Sequence, residues 1–290
     1  MRERVIVGID GSEQALAAVR AAAGEAARRR MPLHVVHAFV WPMLRVDTGP
    51  VSADMPDTGL ENFANDMLAE AVRAAQAAEP GLRVTKALID GPAAPVLIEA
   101  SRGAALLVLG DRGLGAISGV IIGSVAVHAA ALADCPVLVV RGDEPTAGPV
   151  VVGVDGSESS ELAVGFAFDE SSRRGALLMP VIAWNEAGAS GAHQWHSASI
   201  AAEALAGEAE RTLSEQLSGW RGKYPEVEVA PAARRGHPRK VLADLSHEAQ
   251  LTVVGARGLG AFKGLMLGSV SQSLLYHSAG PVAVVRGESS

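Results

Sequence analysis

The chain is poor in cysteine, in aromatic residues and in basic runs, and each shortage removes a class of protein. Cys135 is the only cysteine among 290 residues. No internal disulfide can form, so a disulfide-stapled scaffold is excluded and a reducing cytoplasm is the expected compartment. Cys135 itself precedes a strand pattern and reads as a small buried hydrophobe. Aromatic residues make up 4% of the chain against 49% hydrophobic residues overall. The core must therefore be built from Val, Leu, Ile and Ala, the composition of a parallel sheet covered by Ala-rich helices. The formal net charge is −7, made up of −4 in residues 1–145 and −3 in residues 146–290. An acidic balance without a basic stripe argues against nucleic-acid binding. The short clusters Arg28-Arg29-Arg30 and Arg234-Arg235 read as solvated charge, near a helix end and in a loop. The opening MRERVIVGID runs straight into a strand pattern, so no secretory leader is expected. Residues 113–133 lack charged side chains, but their counterpart in the second half contains Lys263; both read as loop and helix, and no membrane span is expected.

What is present is a duplication. Gly110-Asp111-Arg112-Gly113, nine further residues and Gly123-Ser124 recur 145 positions later as Gly255-Ala256-Arg257-Gly258, nine residues and Gly268-Ser269. Between 110 and 125, 10 of 16 positions match the second copy, far more than chance allows. The GIDGS at Gly8–Ser12 recurs as GVDGS at Gly153–Ser157, and Pro136 and Arg141 recur as Pro281 and Arg286. A period of this length is a whole domain, so two domains are expected, residues 1–145 and 146–290.

Each repeat alternates strand and helix patterns. In the first, strands are expected at 5–9, 33–39, 82–89, 105–109 and 137–140, with helices at 12–30, 61–78, 93–102 and 123–133. Ser12 is the expected N-cap of the first helix, Pro80-Gly81 stop the second, and residues 40–60 read as a long Pro/Gly loop. The second repeat has strands expected at 150–154, 177–184, 227–233, 251–254 and 282–285. The strand at 82–89 alternates enough to lie near an edge. Five strands alternating with helices imply an α/β fold: two tandem doubly wound domains, each a five-stranded parallel sheet flanked by helices. In such sheets ligands bind beyond the carboxyl ends of the strands, where the strand order reverses. Asp10 and Asp155 and both glycine motifs follow strand ends, so they should converge on one crevice per domain.

The glycines permit sharp turning and close approach to a ligand. Gly123-Ser124 opens a helix whose free amides and dipole favour an anion, with the Ser124 hydroxyl as a further donor. Arg112 can supply charge or point to solvent. No Gly-Lys-Ser/Thr triplet follows, so this is not the lysine-bearing phosphate loop, and the spacing differs from the dinucleotide fingerprint. Asp10 and Asp155 can accept from an adenine amino group, ribose hydroxyls or backbone amides; the simpler role is a helix-opening turn.

These motifs resemble the universal stress protein family. Gly-x2-Gly-x9-Gly-Ser/Thr after a fourth strand is the ATP-binding signature of its nucleotide-binding branch, and it stands intact twice. The resemblance covers essentially the whole chain. It implies an adenine nucleotide alpha-hydrolase-like fold holding one ATP, with Mg2+, in each domain. It places Asp10 and Asp155 at the adenosine, Ala38 and Ala183 beside the base, and Gly110, Gly113, Gly123 and Ser124, with Gly255, Gly258, Gly268 and Ser269, at the phosphates. The full candidate set adds Gly8, Ile9, Arg112 and Val125, and Gly153, Val154, Arg257 and Val270. The resemblance also implies pairing through the last strands, 137–140 and 282–285, a homodimer, and a regulatory role in stress response or dormancy with a protein partner the sequence does not name. Where Asp111 and Ser118 stand in the first copy, Ala256 and Lys263 stand in the second, so unequal sites are expected, the second favoured.

No catalytic set is expected. A nucleotidylyltransferase would need a glycine within His34-Val35-Val36-His37, and an ATP pyrophosphatase would need Ser-Gly-Gly in place of Asp10-Gly11-Ser12. His34 and His37 correspond to Met179 and Ile182 in the second copy and read as strand histidines. His193 and His196, in a Gly/Ala/Ser-rich loop, lack a third ligand, so no metal site is expected. Slow ATP hydrolysis and a nucleotide-free dimeric scaffold are the alternatives. The loops at 40–60 and 185–199 differ most between copies and are the expected partner contacts.

Overall fold

A computed structural model of the chain describes residues 4–40, 57–113, 122–141, 145, 147–184, 195–259 and 266–287. The first repeat runs β1 (Val5–Ile9), α1 (Glu13–Arg29), β2 (Leu33–Phe39), α2 (Asp57–Ala78), β3 (Val84–Asp90), α3 (Ala93–Ala100), β4 (Leu106–Gly110), α4 (Ser124–Leu132) and β5 (Val137–Val140). The second runs β6 (Val150–Val154), α5 (Glu158–Arg174), β7 (Leu178–Trp184), α6 (Trp195–Lys223), β8 (Ala232–Arg235), α7 (Pro238–Leu245), β9 (Leu251–Gly255), α8 (Ser269–His277) and β10 (Val282–Val285). The expected alternation of five strands with four helices thus appears in both repeats.

By its contacts the chain forms two compact units, Met1–Ala129 with Ala133–Cys135, and Ala130–Leu132 with Pro136–Ser290. In the first, four strands lie parallel in the order β3-β2-β1-β4. In the second, β8-β7-β6-β9-β10 lie parallel, the doubly wound order that reverses between β6 and β9. There β5 adds to the β10 edge antiparallel, with Val139 opposite Val282 and Val137 opposite Val284. The strand contact expected between 137–140 and 282–285 is therefore made within one chain.

Burial follows strand position. All residues of β1 and β5 are buried, whereas β3, at an edge, is half-exposed, as its alternation suggested. In α1, Ala18, Ala22 and Ala26 have no exposed surface, and small side chains let the helix lie close on the sheet. The second unit fills the same space differently. Phe168 on α5 is fully buried and stacks on Trp220 and Tyr224 of α6 and the residues after it, at centroid distances of 6.3 and 5.8 Å. The first repeat has Ala23 and Ala75 where Phe168 and Trp220 stand.

Four expectations need correcting. The strand expected at 227–233 is β8, Ala232–Arg235, preceded by a single bridge from Val229 to Leu178. Pro231 has no amide hydrogen and interrupts the ladder inside the expected segment. Arg234 and Arg235 accordingly lie in that edge strand and not in a loop. Arg29 is not solvated: it is buried and ion-paired with Glu25, which is fully buried one turn earlier. Helix extends into both expected loops, from Asp57 and from Trp195, so His196 is helical. Ser118, Lys263, His193 and residues 41–56 and 185–194 lie outside the described residues. Among the described residues, no helix is long and apolar enough to cross a membrane.

Candidate functional site

The site begins where β1 and β6 end. Gly11 (φ 87°) and Gly156 (φ 82°) take the left-handed backbone that reverses the chain, which favours glycine. Ser12 then caps α1 by accepting from the Ala15 amide at 3.1 Å, and Ser157 caps α5 by accepting from Ser160 at 3.2 Å. The aspartates brace this turn. Oδ1 of Asp10 accepts from the Ser12 amide (3.0 Å) and hydroxyl (2.7 Å), and Oδ1 of Asp155 accepts from Ser157 in the same way (3.0 and 2.6 Å). Oδ2 of Asp155 reaches across the crevice and accepts from the Leu259 amide at 3.1 Å. Of the acceptor roles open to Asp155, backbone amides are the one this geometry displays.

The motif glycines are places of close packing. A Cβ on Gly258 would collide with Oδ2 of Asp155, and one on Gly113 with Oδ2 of Asp10. One on Gly110 would sit 2.9 Å from the Gln14 carbonyl, and one on Gly255 2.7 Å from the Ser159 carbonyl. Gly8 and Gly153 admit leucines of α3 and α7: Leu97 and Leu242 would each stand 2.8 Å from a Cβ added there. None of these six has a positive φ. The sharp turning expected of Gly110 and Gly113 thus resides in Gly11, and the loop glycines serve close approach alone.

Gly123 and Gly268 are the N-caps of α4 and α8, and neither helix has a side-chain cap hydrogen bond. Their own amides donate to Asp111 and Ala256 carbonyls at 2.7 Å, closing the loop onto the helix. The contrast with the serine-capped α1 and α5 is chemical: first-turn amides of α4 and α8 keep their partial positive charge uncovered by a side chain. In the first loop, Asp111 is buried and its carboxylate lies 3.6 Å from the half-exposed Arg112. Arg112 is thus directed to a protein carboxylate.

In the second unit these parts enclose a cavity of about 590 Å3, within the size range of small-molecule sites. All ten second-repeat candidates line it: Gly153, Val154, Asp155, Ala183, Gly255, Arg257, Gly258, Gly268, Ser269 and Val270. Sequence reading missed Ser160, Val181, Ile182, Pro238, Leu242, Val254 and Ser271. Val181, Ile182 and Val254 adjoin motif positions and were within reach; Pro238 and Leu242 come from α7, which carries no motif. The wall is apolar on the β7 and α7 side and offers glycine backbone, Ser269 and Arg257 on the β9 and α8 side. Such a slot suits a flat apolar group joined to an anion. In the first unit, Gly8 and Ile9 close β1 with Asp10 just after it, Ala38 lies near the end of β2, Gly110 ends β4 with Arg112 and Gly113 beyond it, and Gly123, Ser124 and Val125 open α4, the corresponding places.

The family model described as the universal stress protein family matches residues 1–141 and again 147–286. The chain belongs to the universal stress protein family. Among curated members, universal stress protein Rv2005c of Mycobacterium tuberculosis is 37% identical, covering 97% of this chain and 96% of that one. Universal stress protein Rv2623 of the same organism has the same identity and coverage. Among solved structures, a universal stress protein from Archaeoglobus fulgidus superposes with a TM-score of 0.72 at 20% identity, covering 99% of this chain and 97% of that chain, which shows the shared fold. Both alignments span nearly the whole of each chain.

His34 and His37 lie on β2. His37 is buried and its Nδ1 lies 2.8 Å from the Ile9 carbonyl; His34 Nδ1 lies 2.8 Å from the Thr85 hydroxyl across β2 and β3. Both are strand histidines, as expected. Among the described residues no group of three His, Cys, Asp or Glu side chains is placed to hold a metal. Burial, and then the charge of Arg4, holds His34 below its ordinary value of 6.5. The folded state therefore favours neutral imidazole, and the unfolded chain takes the proton first. That contribution to stability is complete above pH 6.5 and is lost as pH falls through the lowered folded value. His34→Gln should flatten the acid side of the stability profile; urea midpoints taken at about pH 7 and about pH 5 would test it, and an unchanged slope would refute it.

Proposed function

We propose that this universal stress protein is a nucleotide-binding regulator that holds one ATP, with Mg2+, in each repeat. The observation that carries the reading is that one cavity gathers all ten candidate positions of the second repeat between an apolar wall and the N-terminus of α8, which no side chain caps. Adenine fits the apolar side, beside Ala183. Phosphates fit the amides after Gly268, where an anion is stabilised by helix dipole and donors together. Asp155 has both carboxylate oxygens engaged by backbone and Ser157, so Mg2+ would draw its ligands mainly from phosphate oxygens and water, its usual preference. Asp155 is the one carboxylate among the described residues that line the cavity, and both its oxygens are engaged, so the reading is one of binding rather than phosphoryl transfer. Occupancy would then be read by a partner or by assembly, as a cytoplasmic homodimer acting in stress response or dormancy.

The test is the nucleotide content of freshly purified protein, denatured and separated by liquid chromatography with mass detection. Close to two ATP per chain is expected. One per chain would indicate unequal crevices, and ADP or AMP would favour slow hydrolysis. Protein that carries no nucleotide and takes up none when offered ATP and Mg2+ would overturn the reading in favour of a nucleotide-free scaffold.

A further inference from the structure

The two crevices share their glycines, aspartates and capping serines, but not every side chain that braces them. In the second unit two serines that line the cavity, and a third beside one of them, stand where the first repeat has other residues. Ser159, Ser160 and Ser271 occupy the places of Gln14, Ala15 and Ala126, each 145 positions earlier. The Ser160 hydroxyl, 3% exposed, accepts from the Asp155 amide at 3.4 Å and donates to Oε1 of Gln216 on α6 at 2.7 Å. It ties the end of β6 to a helix outside the crevice. Gln216 in turn replaces Ala71, which is fully buried. The Ser159 hydroxyl accepts from the Arg257 amide at 3.3 Å and so holds the start of the glycine loop against α5. The buried Ser271 hydroxyl lies 3.0 Å from the Ala256 carbonyl and 2.9 Å from the Gly268 carbonyl, joining the same loop to the first turn of α8. Ala15 and Ala126 have no hydroxyl with which to make these bonds.

We infer that Ser159, Ser160 and Ser271 are positioning residues that pre-set the second crevice, making it the tighter and slower-releasing of the two nucleotide sites. The inference rests on the reading of both crevices as adenine-nucleotide sites. The physical reason is ordering. A loop already fixed in its binding geometry loses less conformational freedom when the ligand arrives, and the gain appears mainly in a slower dissociation. In the second unit the strand-end turn, the glycine loop and the helix cap are cross-linked by side chains before any ligand binds. The first repeat also places the buried Asp111 carboxylate in its loop where the second has Ala256, which adds repulsion toward phosphates.

The experiment is calorimetric titration of the nucleotide-stripped full chain with ATP and Mg2+, with release rates from chase by excess unlabelled nucleotide. Wild type should show two classes, and Gly258→Ala should weaken the tighter one about ten- to a hundred-fold. S160A/S271A should weaken the tight class about tenfold and speed its release while leaving the weak class unmoved. A merely structural role would lower the thermal midpoint without shifting one class selectively. Should that variant fold poorly, A126S tests the converse, and the first crevice should tighten about threefold through a new bond from the helix to its loop. Two equal classes in wild type, an unmoved tight class in S160A/S271A, or an unmoved weak class in A126S would overturn the role of the serines. A wild-type chain that binds no nucleotide would instead overturn the reading on which it rests.

Discussion

Gly258→Ala should weaken nucleotide binding at the second crevice about ten- to a hundred-fold, the effect of roughly 1–3 kcal/mol of overpacking. The added methyl falls on Oδ2 of Asp155, and a carboxylate oxygen held by the Leu259 amide cannot move without releasing that amide. Losing it frees the loop at the point where phosphates should bind and exposes an unpaired donor. Gly113→Ala meets Asp10 in the same way, so it should act on the first crevice alone. The check is titration of each variant with ATP and Mg2+. Unchanged affinity in both variants would refute the clamp between aspartate and loop. Equal residual affinity in the two would refute unequal sites.

Phe168→Ala should cost about 3–5 kcal/mol of stability, the range for emptying an aromatic core position that cannot collapse. Phe168 has no exposed surface and stacks on Trp220 and Tyr224. Gly165 on the same helix admits the Trp220 ring, which would stand 2.5 Å from a Cβ there, so the indole is packed from two sides. The first repeat has the fully buried Ala23 and Ala75 at the matching places, so small side chains stand where the second repeat has the aromatic stack. The loss should therefore not be predictable from the repeat alignment. Urea unfolding followed by tryptophan emission measures it; a change below about 1 kcal/mol would mean that the aromatic stack carries little of the second core.

Much of this molecule was legible without coordinates. The period of 145 residues, the strand and helix order, the edge position of β3, the burial of Cys135 and the Ser12 cap all follow from local pattern. So do ten of the seventeen residues that line the second cavity, because motifs repeated after matching strand ends meet at the point where strand order reverses. The misses have a common origin. Arg29 reads as surface charge in a run of three arginines, yet the helix turns its side chain onto the buried Glu25. Leu242 and Pro238 reach the cavity from α7, a helix whose sequence says nothing of what it faces. The loop glycines read as turning points, and what requires them is the neighbour that occupies the space of their missing side chains.

By itself, the sequence determined the duplication, the alternating α/β pattern, the places where chain reverses and the residue types available to each crevice, since periodicity, caps and glycine turns act within a few residues. Only the tertiary structure decided that Asp155 holds the glycine loop through Leu259, that Ser160 reaches Gln216 on a helix 56 positions away, and that Phe168 is matched by Trp220. Those are contacts between segments far apart in the chain, and no local rule says which of many compatible side chains will fill the space beside a given one.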